Sequence, residues 1–273
     1  MAMIKTAKEI QAMREGGALL SRALQAALDA IVPGVTMAEL DALATGVIEA
    51  GGGRPSFLGY TSGGGQPFPS TMCISRNDEV VHGLGNRDIA LVEGDIVGLD
   101  IGCWYKGLCT DMAATAPVGT TSVARLQLMR VTHGAMMAGI AAAKAGAYVS
   151  DISSAIEDAI DEHAYGIVTS LVGHGVGHAV HEAPHVPNYR GEGFPKVKLE
   201  AGMCLALEPM VTLGTEAVKM APDGWTIVTK DRSDAAHFEL TIAITVDGAE
   251  ILTPPPTVRG LDAQRKKNAR PPK

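Results

Sequence analysis

The chain has 273 residues, 46% of them hydrophobic, with a formal net charge of −7. That is apolar content enough for one large domain or two small ones, and the negative balance excludes a folded body devoted to binding nucleic acid. Four cysteines (Cys73, Cys103, Cys109 and Cys204) form no C-x-x-C pair and lack the density of a disulfide scaffold, so they read as small buried hydrophobes.

The first residues read as a capped amphipathic helix rather than a signal peptide. Thr6 and Glu9 form a capping-box pair, and Ile10 and Met13 share a face. The longest apolar stretch, 134–147, is broken by Lys144 and falls short of a membrane span. A cytoplasmic location is therefore expected. Two stretches then share one grammar: "LDAIVPGVTMAELDALATGVIEAGG" and "IAAAKAGAYVSDISSAIEDAIDEHAYG". Each has a helix ending at a glycine, a short turn and a second amphipathic helix. Gly34 corresponds to Gly146 and Leu40 to Ile152, both at an offset of 112. The repeat suggests two related α/β halves packed face to face, with a crevice between them as a natural site. Strands follow each helical pair: "TMCIS", "EVVHGL" and "DIVGLDIGCWYKGLCTDMAATAPVG", then "MCLALEPMVTLG" and "HFELTIAITVDGAEIL". These predict antiparallel strands and hairpins punctuated by glycine. In the last of them Phe238, Leu240, Ile242, Ile244 and Val246 fall on one face, and Glu239, Thr241 and Ala243 on the other.

The stretch "HEAPH" at 181–185 matches the His-Glu-x-x-His pattern of zinc peptidases, which works only on a helix, where residues four apart converge. Pro184 denies it that helix, because it has no N–H to donate and pushes its predecessor out of the helical region. The segment is expected to be extended. Even so, His174, His178, His181 and His185 crowd into twelve residues, so imidazole is in demand here.

The hairpin centred near Tyr105 and Lys106 pairs Asp100 with Asp111 if its loop has two residues, and leaves them close if it has three. Like charges directly opposed in a sheet are destabilising, and aspartate is a poor strand former. Taken alone, the two could face solvent, decorate an edge or serve acid/base work. Glu208 in "CLALEPM" and Glu239 in "HFELTIAIT" add two more carboxylates within apolar strands, where an unpaired charge is costly. With His174 from a glycine-flanked strand, four carboxylates and one imidazole form a shell for two divalent ions of the Mn, Co, Fe or Zn type.

At this point the sequence resembles the type I methionine aminopeptidases over nearly its full length. The similarity runs from "IKTAKEIQAMREGG" through "SFLGY", "CISRNDEVVHGL", "GDIVGLDIG", "TDMAATAPVG", "GHGVGHAVHEAPHVPNY", "MCLALEPM" and "PDGWTIVTKDRSDAAHFELTIAIT" to "TVDGAEILTP". The resemblance implies an α/β (α+β) pita-bread fold with pseudo-twofold antiparallel sheets covered by helices. It implies a dinuclear centre held by Asp100, Asp111, His174, Glu208 and Glu239, with Asp111 and Glu239 bridging. It assigns His82 and His181 to the substrate backbone. Water bridging two metals has its pKa lowered toward about 7. Glu208 is then the candidate to take its proton, His181 to donate to the oxyanion, and His82 to hold the scissile amide. The free α-amino group would take the open metal position, making the enzyme an exopeptidase. By the family pattern Tyr60, Phe68, Cys73 and Trp225, with Phe57 nearby, line an apolar pocket for methionine. Val180 stands where many relatives carry an aromatic, and His178 where they often carry Arg, which bears on selectivity at the first two substrate residues. His178 and His185 themselves read as structural.

The intervals of 27 residues from His181 to Glu208 and 31 from Glu208 to Glu239 leave no room for a long helical insertion, which favours type I over type II. One rival is a proline-specific peptidase of the same fold, which usually carries a further N-terminal domain not seen in this sequence. The other is a non-catalytic module on the same scaffold, which would have lost ligands. The expected substrates are N-terminal segments of nascent polypeptides, and the expected state is a monomer. Residues 1–254 are expected to form the catalytic domain. Residues 255–273 are expected to form a basic, disordered tail, solvated or else in transient contact with a ribosome surface.

Overall fold

A computed structural model describes residues 4–61 and 65–261 of the chain. Thr6 and Glu9 exchange both bonds of the capping box at the start of α1 (Ala7–Asp29). Thr36 and Glu39 repeat the device at α2 (Met37–Ala50). The chain continues through β1 (Arg54–Pro55), β2 (Met72–Arg76), β3 (Glu79–Val81), β4 (Ile96–Tyr105) and β5 (Leu108–Pro117). A second helical pair, α3 (Val123–Ala142) and α4 (Val149–Asp161), leads to β6 (Gly166–Ile167), β7 (Gly173–Gly175), β8 (Glu182–Val186) and β9 (Cys204–Leu207). Last come β10 (Met210–Thr212), β11 (Val218–Met220), β12 (Ile227–Thr229), β13 (Ala235–His237), β14 (Glu239–Ile244) and β15 (Ala249–Ile251). Among the described residues no helix is long and apolar enough to cross a membrane, and all four cysteines are free and buried.

The repeat is present bond for bond. Gly34 (φ 98°) and Gly146 (φ 91°) sit in the left-handed region between the helices of each pair, where a side chain would cost about 1 kcal/mol or more. The Gly34 N–H donates to Leu91 O and the Leu91 N–H returns to Val35 O; Gly146, Leu199 and Ala147 make the same exchange in the second half. Leu40 and Ile152 are both fully buried.

The main sheet has the order β1-β4-β5-β14-β9-β7-β8, with β2 beside β4 and β15 beside β14, all antiparallel. The β4–β5 loop is the two-residue turn Lys106–Gly107, with φ of 50° and 81°. Both residues need positive φ in such a turn, so glycine draws the loop to itself, one residue later than the Tyr105–Lys106 centre expected from sequence. The register shifts accordingly: Asp100 opposes Ala113, and Asp111 opposes Gly102. The two aspartates are diagonal neighbours on one face rather than a directly opposed pair, a separation of about 7–8 Å that long side chains still bridge.

Register also fixes which residues share that face. Cys73 opposes Asp100, Glu239 opposes Ala113, Thr241 opposes Ala206, and Ala206 opposes His174. The alternate residues Leu99, Ile101, Met112, Leu205, Leu207, Leu240 and Ile242 turn to the opposite face and pack with the buried leucines and isoleucines of the helices in the main core. The last strand departs from its expected extent. β14 stops at Ile244 because the Thr245 N–H and hydroxyl both bond Gly248 O, and Val246 is 74% exposed in the turn. Contacts with α1 extend beyond residue 254. Val258 is 4% exposed, within the main core, and Thr257 exchanges hydrogen bonds with Gln25, so packing on α1 continues past it. The rest of the expected tail, 262–273, lies outside the described residues.

Candidate metal centre and peptide cleft

Five adjacent strands each bring one chemistry-bearing side chain to the same place. Asp100 lies on β4, Asp111 on β5, Glu239 at the start of β14, Glu208 immediately after β9 and His174 on β7. The Thr241 hydroxyl accepts from the Asp111 N–H and donates to the Asp111 carbonyl, pinning β14 to β5 at this level. Asp111, His174 and Glu239 each offer a ligand atom, all within 4.8 Å of one another. His174 Nε2 stands 3.3 Å from Glu208 Oε1 and 3.9 Å from Glu239 Oε1. Its Nδ1 lies 2.9 Å from the Gly175 carbonyl. A carbonyl only accepts, so Nδ1 carries the proton and Nε2 turns its lone pair to the carboxylates.

Burial, then mutual repulsion, drives the pKa of Asp111 and of Glu239 upward. Burial is also the leading cause raising Asp100 and Glu208. Burial pushes the His174 imidazole down to about 3, so it is neutral and available as a ligand. Asp100 Oδ1, Asp111 Oδ1 and Glu239 Oε1 are buried without any hydrogen-bond partner. Among the described residues, no lysine or arginine forms an ion pair with any of the four carboxylates. Unpaired buried carboxylates cost several kcal/mol each, and a set of carboxylate oxygens with one imidazole nitrogen is the donor chemistry of divalent transition ions. The residues present fit such ions.

His82 and His181 flank the centre. His82 follows β3 with φ 58°, a left-handed conformation rare for a residue with a side chain. Burial first, then the neighbouring His181 and His237, holds its pKa down at about 4. His181 stands edge-on to His174, with ring centroids 4.5 Å apart; burial first, then His185, lowers its pKa as well. Beside them Phe57, Phe68, Cys73 and Val180 form a buried apolar cluster on which Tyr60 and Trp225 pack. Phe68 and Trp225 meet edge to face at 5.2 Å, and Cys73 joins this cluster to the centre by opposing Asp100.

The "HEAPH" segment is extended, with Glu182–Val186 forming β8. Glu182 has a different task from the acid of a zinc-peptidase helix. It forms a buried ion pair with Lys5 at 2.5 Å and accepts the Ala179 N–H. His178 Nε2 lies 2.7 Å from Glu9 Oε1, which ties the N-terminal cap of α1 to the loop before His181. His185 is an exposed residue paired with His174 across the β7–β8 ladder.

One residue that sequence reasoning missed lies inside the centre. His237 is buried, its Nε2 is 3.6 Å from Glu208 Oε2 and has no hydrogen-bond partner, and burial lowers its pKa. The signal was available: carrying the alternation of Glu239, Thr241 and Ala243 back by two residues reaches His237. Asn188 was missed too, and nothing in "VPNY" signals that its side chain donates to the Glu208 carbonyl at 3.2 Å.

Strands sharing one carboxylate-lined face, fitted for divalent ions beside an apolar cleft, define a metallopeptidase, and the chain belongs to metallopeptidase family M24, which matches residues 11–246. Its fold is the pita-bread fold of that family. The particular relatives are methionine aminopeptidases. The one from Treponema pallidum is 41% identical over 258 residues, covering 94% of this chain and 98% of the relative. The crystal structure of the methionine aminopeptidase from Thermotoga maritima superposes with a TM-score of 0.87 at 41% identity, covering 93% of this chain and 99% of that one. The prolidase from Pyrococcus furiosus shares the fold, with a TM-score of 0.75 at 24% identity over 66% of its own chain.

Proposed function

We propose that this chain removes the N-terminal (initiator) methionine from nascent polypeptides in the cytoplasm when the second residue is small. The observation that carries the reading is the meeting of Asp100, Asp111, His174, Glu208 and Glu239 on one face of five adjacent strands, next to an apolar cluster of Phe57, Phe68, Cys73 and Val180. Asp100, Asp111, His174, Glu208 and Glu239 would hold two divalent ions of the Co, Mn, Fe or Zn class. Four ionised carboxylates without a basic partner call for about four positive charges, and two such ions supply them. When bound, such ions lower the pKa of water toward about 7 and polarise a carbonyl.

The protein's own groups do the rest. Glu208, whose side chain is 14% exposed, accepts the proton of the attacking water and passes it to the leaving amine, a contribution of about 10²–10⁴-fold in rate. His181 donates to the developing oxyanion and His82 holds the scissile amide, both as neutral imidazoles. Phe57, Tyr60, Phe68, Cys73 and Trp225 surround the methionine side chain, whose thioether suits aromatic neighbours. Val180 packs in the same cluster, so its small size bears on selectivity there. The identity of the relatives, at about 40% over nearly all of both chains, supports this reading over a proline-specific one.

The test is turnover of Met-Ala-Ser, Met-Lys-Ser and Ala-Pro-Ser by protein reloaded with one metal at a time. Release of methionine from the first peptide alone is the expected result. Cleavage confined to the proline peptide would replace this reading with the rival.

A further inference from the structure

Two imidazoles stand against each other in the cleft, and the structure gives them opposite hydrogen-bonding neighbours. His174 presents Nδ1 to a carbonyl, which fixes its proton there. His181 presents Nδ1 to the hydroxyl of Tyr60 at 2.9 Å, with ring centroids 5.5 Å apart and planes at 70°. A hydroxyl donates or accepts, so this contact alone admits both tautomers. Chemistry decides between them. An imidazole nitrogen is a far stronger base than a phenol oxygen, with a conjugate-acid pKa of about 6.5, and a phenol is a good donor with a pKa of about 10. The O–H therefore donates to Nδ1. The Tyr60 hydroxyl and the His181 ring make no other side-chain hydrogen bond among the described residues, so the stronger donor and the stronger base face only each other there.

We propose that Tyr60, beyond lining the methionine pocket, is a positioning residue that keeps the single proton of His181 on Nε2, the nitrogen left free to donate to the substrate's reacting carbonyl. This rests on the aminopeptidase reading above and deepens it. His174 and His181 then form a complementary pair: one offers a lone pair from Nε2, the other a proton from Nε2, and each is set by what holds its Nδ1. Tyr60 and His181 are 121 residues apart, and the edge-on ring contact holds the pair together without a covalent or charged link.

The experiment compares wild type, Tyr60→Phe and His181→Gln as zinc-loaded, diamagnetic protein. Long-range ¹H–¹⁵N correlation spectra report which ring nitrogen of His181 carries the proton, and the signal is assigned by its loss in His181→Gln. The wild type should show the proton on Nε2 and Tyr60→Phe a mixture. Phe keeps the ring, so kcat for Met-Ala-Ser should fall about tenfold while KM stays within about twofold, one neutral hydrogen bond being worth roughly this much. A wild-type proton on Nδ1 would overturn the proposal. So would an unchanged tautomer in Tyr60→Phe, or a rise in KM with kcat intact, which would leave Tyr60 as pocket lining only. Unchanged kcat in His181→Gln would sink the aminopeptidase assignment of His181 instead, and the spectra tell the two failures apart.

Discussion

Lys5→Ala tests whether the N-terminal segment is part of the machinery or only attached to it. The Lys5 and Glu182 side chains are 1% and 8% exposed and 2.5 Å apart. Removing the ammonium leaves the Glu182 carboxylate buried with the Ala179 N–H as its remaining close donor and His178 Nδ1 at 3.8 Å. An uncompensated buried charge of this kind costs about 3–5 kcal/mol. For a chain of this size that lowers Tm by roughly 6–20 °C, at about 2–4 °C per kcal/mol. The assay is urea unfolding at pH 7, where the midpoint should fall with the m-value unchanged. A second variant, Lys5→Met with Glu182→Leu, replaces the pair by apolar groups and should recover most of the loss, because desolvation of both charges is removed together. Glu182 adjoins His181, so Lys5→Ala should also lower kcat more than it raises KM. A loss under about 1 kcal/mol, or a double variant as unstable as the single, would refute the argument that the pair is buried and mutually dependent.

Asp100→Ala and His174→Ala should each abolish turnover of Met-Ala-Ser while circular dichroism shows the fold retained, and equilibrium dialysis should show weakened uptake of Mn²⁺ or Co²⁺. His237→Ala should lower kcat with metal uptake nearly unchanged, since its Nε2 faces Glu208 Oε2 at 3.6 Å. Phe68→Ala removes the edge contact with Trp225 and should raise KM for methionyl peptides several-fold, a pocket contact being worth about 1–3 kcal/mol. Burial raises the Asp100 pKa to about 7 and that of Glu208 to about 8, so each carboxylate contributes stability that is fully present below its unfolded pKa and lost as pH rises through the folded one. His82, His174, His181 and His237 have lowered values, so their contributions are complete above the unfolded pKa of about 6.5 and do not change beyond it. Chelator-treated protein should therefore lose Tm between pH 6.5 and 8, and saturating Mn²⁺ should reverse the trend because the ions bind the ionised carboxylates. A flat profile in both conditions would refute the electrostatic account.

The parts of the fold that sequence made legible were those with a local cause. The Thr6–Glu9 capping box, the extended segment at Pro184 and the helix-ending glycines at 34 and 146 each follow from residues within one turn of the feature. Register was less legible, because the β4–β5 loop could centre on either side of Lys106, and a shift of one position separates direct from diagonal pairing of Asp100 and Asp111. The Lys5–Glu182 pair and the Tyr60–His181 bond join residues 177 and 121 apart with no periodicity to announce them. His237 was within reach of the same alternation that placed Glu239.

The duplication explains why a site of this charge exists in a stable protein. Gly94 (φ 94°) and Gly202 (φ 95°) precede β4 and β9 with the same turn, their N–H groups donating to Val118 O, just past the end of β5, and to Ile244 O, the last residue of β14. Counting 108 residues on from Gly94 gives Gly202, and the same step carries Asp100 to Glu208. Within the sheet order β4-β5-β14-β9, the axis relating the halves passes between β5 and β14, so Asp111 and Glu239 are its central pair and Asp100 and Glu208 its outer pair. Each half supplies two carboxylates, which on its own it could leave to water. Packing the halves together buries Asp100, Asp111 and Glu239, leaves Glu208 only 14% exposed, raises all four pKa values and leaves three oxygens unpartnered. The core that Leu99, Ile101, Met112, Leu205, Leu207, Leu240 and Ile242 build on the far face holds that arrangement against its own repulsion. A divalent ion bound there would relieve charge already concentrated by folding, while His174, His181 and His82, which follow no 108-residue step, break the symmetry of the four carboxylates.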